Sequence, residues 1–129
     1  MVKKTLTIWI ALLACIVCFC GCSKEDEKAA VIGKIFTYDG QGFGGDFTIE
    51  INEDGTFQYY EGFLCSYFGY GTWEIEKGRI TLTEENGMET TNTFTIKANN
   101  LIWIETESSN FNSVELENGA SFSCNPTKK

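Results

Sequence analysis

From Val31 onward, apolar and polar residues alternate with a period of two. Phe47-Thr48-Ile49-Glu50-Ile51 alternates cleanly, as do Trp73-Glu74-Ile75-Glu76, Ile80-Thr81-Leu82-Thr83 and Phe94-Thr95-Ile96-Lys97. Threonine and β-branched residues fill these runs, as half-buried strands require. No window of a dozen residues carries a helical stripe. Turn chemistry falls between the runs: Asn52-Glu53-Asp54-Gly55, Glu76-Lys77-Gly78, Glu84-Glu85-Asn86-Gly87, Ala98-Asn99-Asn100 and Glu117-Asn118-Gly119. The pattern predicts about eight short strands in meander order, beginning at Ile32–Tyr38 and ending at Ala120–Cys124. Sequential antiparallel strands in that number close as a barrel or pack as a sandwich. The inward set is Phe36, Phe47, Ile49, Ile51, Phe57, Tyr59, Trp73, Ile75, Ile80, Leu82, Phe94, Ile96, Leu101, Trp103 and Phe122. It is bulky enough to fill a small barrel.

The first residues follow a different rule. Met1 to Lys4 is short and basic, and Thr5 to Phe19 is an apolar run. As a helix of about 15 residues that run spans roughly 22 Å. This is short of a ~30 Å hydrocarbon layer and fits a signal-peptide helix better than a permanent span. Gly21 supplies the small residue a peptidase cleft needs just before Cys22. Phe19-Cys20-Gly21-Cys22 resembles the lipobox of bacterial lipoprotein signal peptides. Leu12-Leu13-Ala14-Cys15 is a rival that leaves too short an apolar region. The resemblance implies cleavage after Gly21, a diacylglycerol on the Cys22 thiol, and attachment to a membrane of a bacterial cell envelope, facing outside the cytoplasm. The acidic run Ser23-Lys24-Glu25-Asp26-Glu27-Lys28 reads as a solvated tether, and it also resembles the surface-export signal of some lipoproteins. The chain thus divides into a signal peptide (1–21), a lipidated cysteine with its tether (22–30) and a β-domain (31–129).

Within that domain, Gly33-Lys34-Ile35-Phe36, Phe47–Ile51, Asp54-Gly55-Thr56-Phe57, Gly71-Thr72-Trp73 and Ile80-Thr81-Leu82-Thr83 occur in an order that resembles the small lipocalin-like β-domains of bacterial lipoproteins. The fold class implied is all-β, an antiparallel meander closed as a lipocalin-like barrel or sandwich. Some similar domains are appended to sensor-type membrane peptidases, which implies a binding or regulatory module.

Charge and composition narrow the function. Lys3 and Lys4 precede Cys22, which leaves eight basic residues against all 18 acidic ones beyond it, a net of −10. Such a surface repels nucleic acid and favours a basic protein, of which lysozyme is an example, as partner. The chain contains no histidine, so triads, metal sites and general bases built on histidine are excluded. The reading is a monomeric binding module without catalytic activity, metal or cofactor. Its alternatives are a carrier of a small apolar ligand and a carboxylate-based hydrolase.

The remaining candidates are few. Of six cysteines, Cys15, Cys18 and Cys20 lie in the leader and Cys22 takes the lipid. Cys65 and Cys124 remain as a candidate disulfide in an oxidising compartment. The densest aromatic stretch offers Tyr60, Phe63, Tyr67, Phe68 and Tyr70 for stacking on a ligand at a barrel mouth. Glycines 40, 42, 44 and 45 lack the lysine and following helix of a phosphate loop. Asn52, Glu53 and Asp54 lack the spacing of a calcium loop and form a hairpin turn. The pairs Glu74 with Glu76 and Glu105 with Glu107 alternate outward, where no cleft excludes water.

Overall fold

A computed structural model describes residues 23–87 and 89–124. The expected signal-peptide helix and the Gly21–Cys22 junction lie outside these residues. Eight antiparallel strands close a barrel in sequence order, each paired with its neighbours and the last with the first. They are β1 (Lys34–Tyr38), β2 (Thr48–Ile51), β3 (Thr56–Tyr60), β4 (Phe68–Glu76), β5 (Arg79–Glu84), β6 (Thr91–Lys97), β7 (Asn100–Trp103) and β8 (Ser121–Cys124). The choice between barrel and sandwich is settled as barrel.

Because the strands alternate in direction, their connections sort to two ends. The bottom end has tight turns. Lys77 and Gly78 alone join β4 to β5, with φ of 50° and 74°. Two successive positive φ values give a hairpin whose twist matches its strands, and glycine takes the second at no steric cost. At Asp54-Gly55 the Asp54 carboxylate accepts the Thr56 backbone N–H at 3.1 Å, which fixes the β2–β3 turn. The top end carries the long connections, residues 39–47, 61–67, 85–90 and 104–120.

The inward series fills the barrel. Phe36, Phe47, Ile49, Ile51, Ile80, Phe94, Leu101 and Phe122 are fully buried, with Phe57, Tyr59, Leu82 and Trp103 nearly so. Trp73, Ile75 and Ile96 pack half-buried against them. Phe47 is the hub: its ring stands edge-on to Phe111 at 4.9 Å and to Phe122 at 5.1 Å. Each large side chain removed from water contributes about 1.5–3 kcal/mol. An eight-stranded barrel is just wide enough for such side chains to occupy its middle.

Two expectations need correction. The acidic run is not only a tether: Ser23–Val31 forms helix α1. Glu25 and Asp26 lie in its first turn and Lys28 in its last, which suits the helix dipole at both ends. Val31 then enters the core at 1% exposure, and tertiary packing of this kind holds a helix too short to be read from periodicity. The second correction concerns the disulfide. Cys65 sits in the top connection after β3. Cys124 ends β8 near the bottom, where its N–H reaches Asn99 O. The two residues lie towards opposite ends of the barrel and are not bridged to each other.

Gly69 and Gly71 stand at inward positions of β4, where large residues otherwise prevail. The Tyr59 ring lies where a Gly69 side chain would be, and the Thr83 carbonyl fills the corresponding place at Gly71. Gly69→Ala is therefore predicted to force Tyr59 out of place and to destabilise the fold by about 1–3 kcal/mol. Urea denaturation checks this; an unchanged midpoint would show that Tyr59 is not held by this contact.

Candidate functional site

Three inward series end at the top in a polar residue. Phe57 and Tyr59 are followed by Glu61, Ile80 and Leu82 by Glu84, and Phe94 is preceded by Asn92. All three polar side chains are buried, Glu61 at 0%, Asn92 at 3% and Glu84 at 4% exposure. A buried polar group is costly unless its hydrogen bonds are made, and here each has partners.

Glu84 collects hydroxyls. Its Oε2 accepts from Tyr59 Oη at 2.9 Å and Thr90 Oγ1 at 2.7 Å, and its Oε1 accepts from Tyr67 Oη. Tyr67 Oη also lies 2.9 Å from Asn86 O. The Asn86 side chain bonds Tyr70 N at 2.8 Å and Phe68 O at 2.7 Å, which pins the β5–β6 connection to the start of β4. Burial pushes the Tyr67 hydroxyl up to about 12, and its hydrogen bond to Glu84 and the charges of Glu84 and Glu61 add to this. Tyr59 is raised further, for the same leading reasons. Both phenols are therefore donors at any ordinary pH.

Glu61 and Asn92 hold a strap across the mouth. Beyond β7, a short 3-10 turn (Glu105–Glu107) leads into residues 108–116. Ser108 and Ser109 bond to β6 through Thr93 N and Thr91. Asn92 receives Trp103 Nε1–H at 3.1 Å and donates to Asn110 O at 3.3 Å. Asn110 adopts φ of 79°, a conformation asparagine tolerates, and the next residue, Phe111, turns inward onto Phe47 and Tyr59, 4.9 Å from each. On the far side, Glu61 Oε1 accepts Ser113 N at 2.8 Å and Val114 N at 3.0 Å. The Cys65 Sγ–H points to Glu61 Oε2 at 3.6 Å.

Between the strap and the β5–β6 connection is a cavity of about 170 Å³. Tyr59, Tyr67 and Phe111 form its aromatic side. Glu84, Thr90 and Asn112 face it with polar atoms, and Gly87, Ser109 and Asn110 complete the rim.

The five aromatic residues expected to bind a ligand separate. Tyr67 lines the cavity. Tyr60 and Phe68 lie beside a shallow groove of about 120 Å³ on the outer wall with Ile35, and Phe63 rests edge-on to Tyr60 at 6.5 Å. Tyr70 also faces outward, half exposed. Phe63 and Leu64 are 80% and 73% exposed and meet the glycine-rich connection at Phe43, Gly44 and Gly45. Sequence reasoning missed Glu84, Glu61, Thr90 and Phe111. The carboxylates extend the two-residue alternation of their strands by one step, a signal that was present. Phe111 lies in a connection without periodicity and carries no such signal.

The outer-wall carboxylates do converge in part. Glu74, Glu76 and Glu107 border an open groove of about 650 Å³ with Arg79 and Lys77. Arg79 is paired with Glu107 at 2.6 Å, with both side chains well exposed. Among the described residues, no three histidine, cysteine, aspartate or glutamate side chains group as a metal site.

The phenols give a pH prediction. A tyrosine whose folded pKa exceeds its unfolded value of 10.0 adds stability that is complete below pH 10 and is lost as pH rises through the folded value. Stability is thus predicted to fall between pH 10 and about 12, and this slope is predicted to be shallower in Tyr67→Phe. Urea midpoints across that range check it. Equal slopes in the two proteins would remove Tyr67 from the network.

A family model for the lipocalin-like domain matches residues 24–103, more than half of the chain and the span from α1 through β7. No curated protein and no solved structure matches it. The closed eight-stranded meander and the matched residues agree, and the chain belongs to the lipocalin-like domain family.

Proposed function

We propose that this chain is a lipid-anchored binding module of a bacterial envelope, held by a diacylglycerol on Cys22 after cleavage at Gly21, with a small ligand taken at the barrel mouth. The observation that carries the reading is the polarity of the barrel. Helix α1 begins at the residue after Cys22 and docks at the bottom, and every long connection and the cavity lie at the top. An anchor at Cys22 would turn the tight-turned end towards the membrane and the mouth away from it. Membership of the lipocalin-like family supports a ligand-binding or carrier role. The filled middle of the barrel favours the mouth over a deep apolar calyx as the place where the ligand sits.

The module binds and does not catalyse. The carboxylates of the outer groove are exposed, and one of them is already engaged by Arg79, whereas glycoside chemistry needs a raised acid in a sheltered cleft. The mouth also displays the exposed side chains of Phe43, Phe63 and Leu64. With the acidic balance of the chain, this rim suits a basic protein as a second kind of partner.

Metabolic labelling with a palmitate analogue tests the anchor. Label is expected on the wild-type protein and is expected to vanish in Cys22→Ala. Equal labelling of the variant would overturn the assignment of Cys22.

A further inference from the structure

We infer that the mouth cavity is a recognition site for a small organic cation, an ammonium or guanidinium group carried on a flat apolar body. The inference rests on the mouth being the ligand site and deepens that reading. Its basis is an imbalance of charge. Glu61 and Glu84 are two buried carboxylates beside the same pair of tyrosines. The hydrogen-bond partners of the Glu84 carboxylate among the described residues are neutral hydroxyls. Among the described residues, the ion pair present joins Arg79 to Glu107 on the outer wall and leaves the mouth without a counter-charge. A buried carboxylate is ordinarily matched by a cation.

The acceptor count shows where the cation goes. A carboxylate offers about four lone-pair sites. Among the described residues, Glu84 Oε2 uses its two on Tyr59 and Thr90, and Oε1 accepts from Tyr67. The described residues leave one site on Oε1 open, and Glu84 borders the cavity. The rings of Tyr59, Tyr67 and Phe111 line the same space, and aromatic faces attract a cation that has shed its water. Glu61 is committed to the strap through Ser113 N and Val114 N. It supplies field rather than contact. An anion would meet two like charges. A fully apolar ligand would leave the open acceptor unmatched. A divalent metal ion needs several oxygen ligands from charged groups, and the mouth has no such set among the described residues.

Three probes of one shape separate the possibilities: benzylammonium, benzyl alcohol and benzoate. Each is titrated into the full β-domain with its α1 helix, followed by backbone amide shifts of Thr90 and Asn110 to Asn112. Benzylammonium is expected to move these resonances saturably, at least about tenfold more tightly than benzyl alcohol, with no response to benzoate. Glu84→Gln is expected to weaken it by at least about tenfold. Tyr67→Phe, which frees a further acceptor site on Oε1, is expected to tighten it, and this second variant keeps the test decisive if Glu84→Gln does not fold. Equal binding of benzyl alcohol would overturn the cation and leave the mouth as the ligand site. An equal response to calcium ions would overturn the organic class. Failure of all three probes to shift any mouth resonance would overturn both the inference and the mouth reading.

Discussion

The top of this barrel depends on one buried carboxylate. Glu61 is wholly shielded from water and spends one oxygen on the backbone N–H groups of Ser113 and Val114. Two such bonds to a charged acceptor are stronger than ordinary amide pairs. They span the mouth, because the strap starts on β6 and lands on the connection after β3. With the strap in place, Phe111 stays on the Phe47–Tyr59 cluster, the cavity has its far wall, and Tyr59 keeps its hydroxyl on Glu84. The bottom needs no such device, since turns of two to four residues and Val31 of α1 close it with ordinary hairpin chemistry and apolar packing.

The fold was largely legible in the sequence because its cause is local. Alternation with period two, broken by turn residues, follows directly from the pleat of a strand. The inward set from Phe36 to Phe122 is the core of the structure, and strand limits shift by only a few residues. Two features escaped for different reasons. Helix α1 is nine residues long and exists through its dipole-matched charges and one buried valine, so no stripe announces it. The Cys65–Cys124 pair looked plausible by number alone, but pairing depends on which end of a strand each occupies, and a closed barrel sets them apart.

The site was less legible, for a reason that transfers to other barrels. Polarity suggested a turn at Glu84, and nothing singled out Glu61, yet each continues the parity of its strand by one further inward step. Where alternation runs apolar, apolar, acid at the open end of a barrel, the acid points in, and the neighbouring tyrosines satisfy it. The exposed aromatics drew attention instead because aromatic density is easy to see. Only Tyr67 of that set lines the cavity, while Tyr60, Phe68 and Tyr70 face the outer wall and Phe63 stands exposed on the top connection after β3. The two ends also differ in kind: the buried carboxylates gather where the connections are long, and Val31 of α1 packs into the core at the other end.

Amide hydrogen exchange at Ser113 and Val114 tests the strap most directly. Both lie in an irregular connection, and Ser113 is exposed, so without the Glu61 carboxylate they would exchange freely. The account predicts protection approaching that of the β3 and β4 amides, reduced by at least about tenfold in Glu61→Gln. Exchange at the rate of an open loop in the wild-type protein, or protection unchanged in the variant, would contradict it.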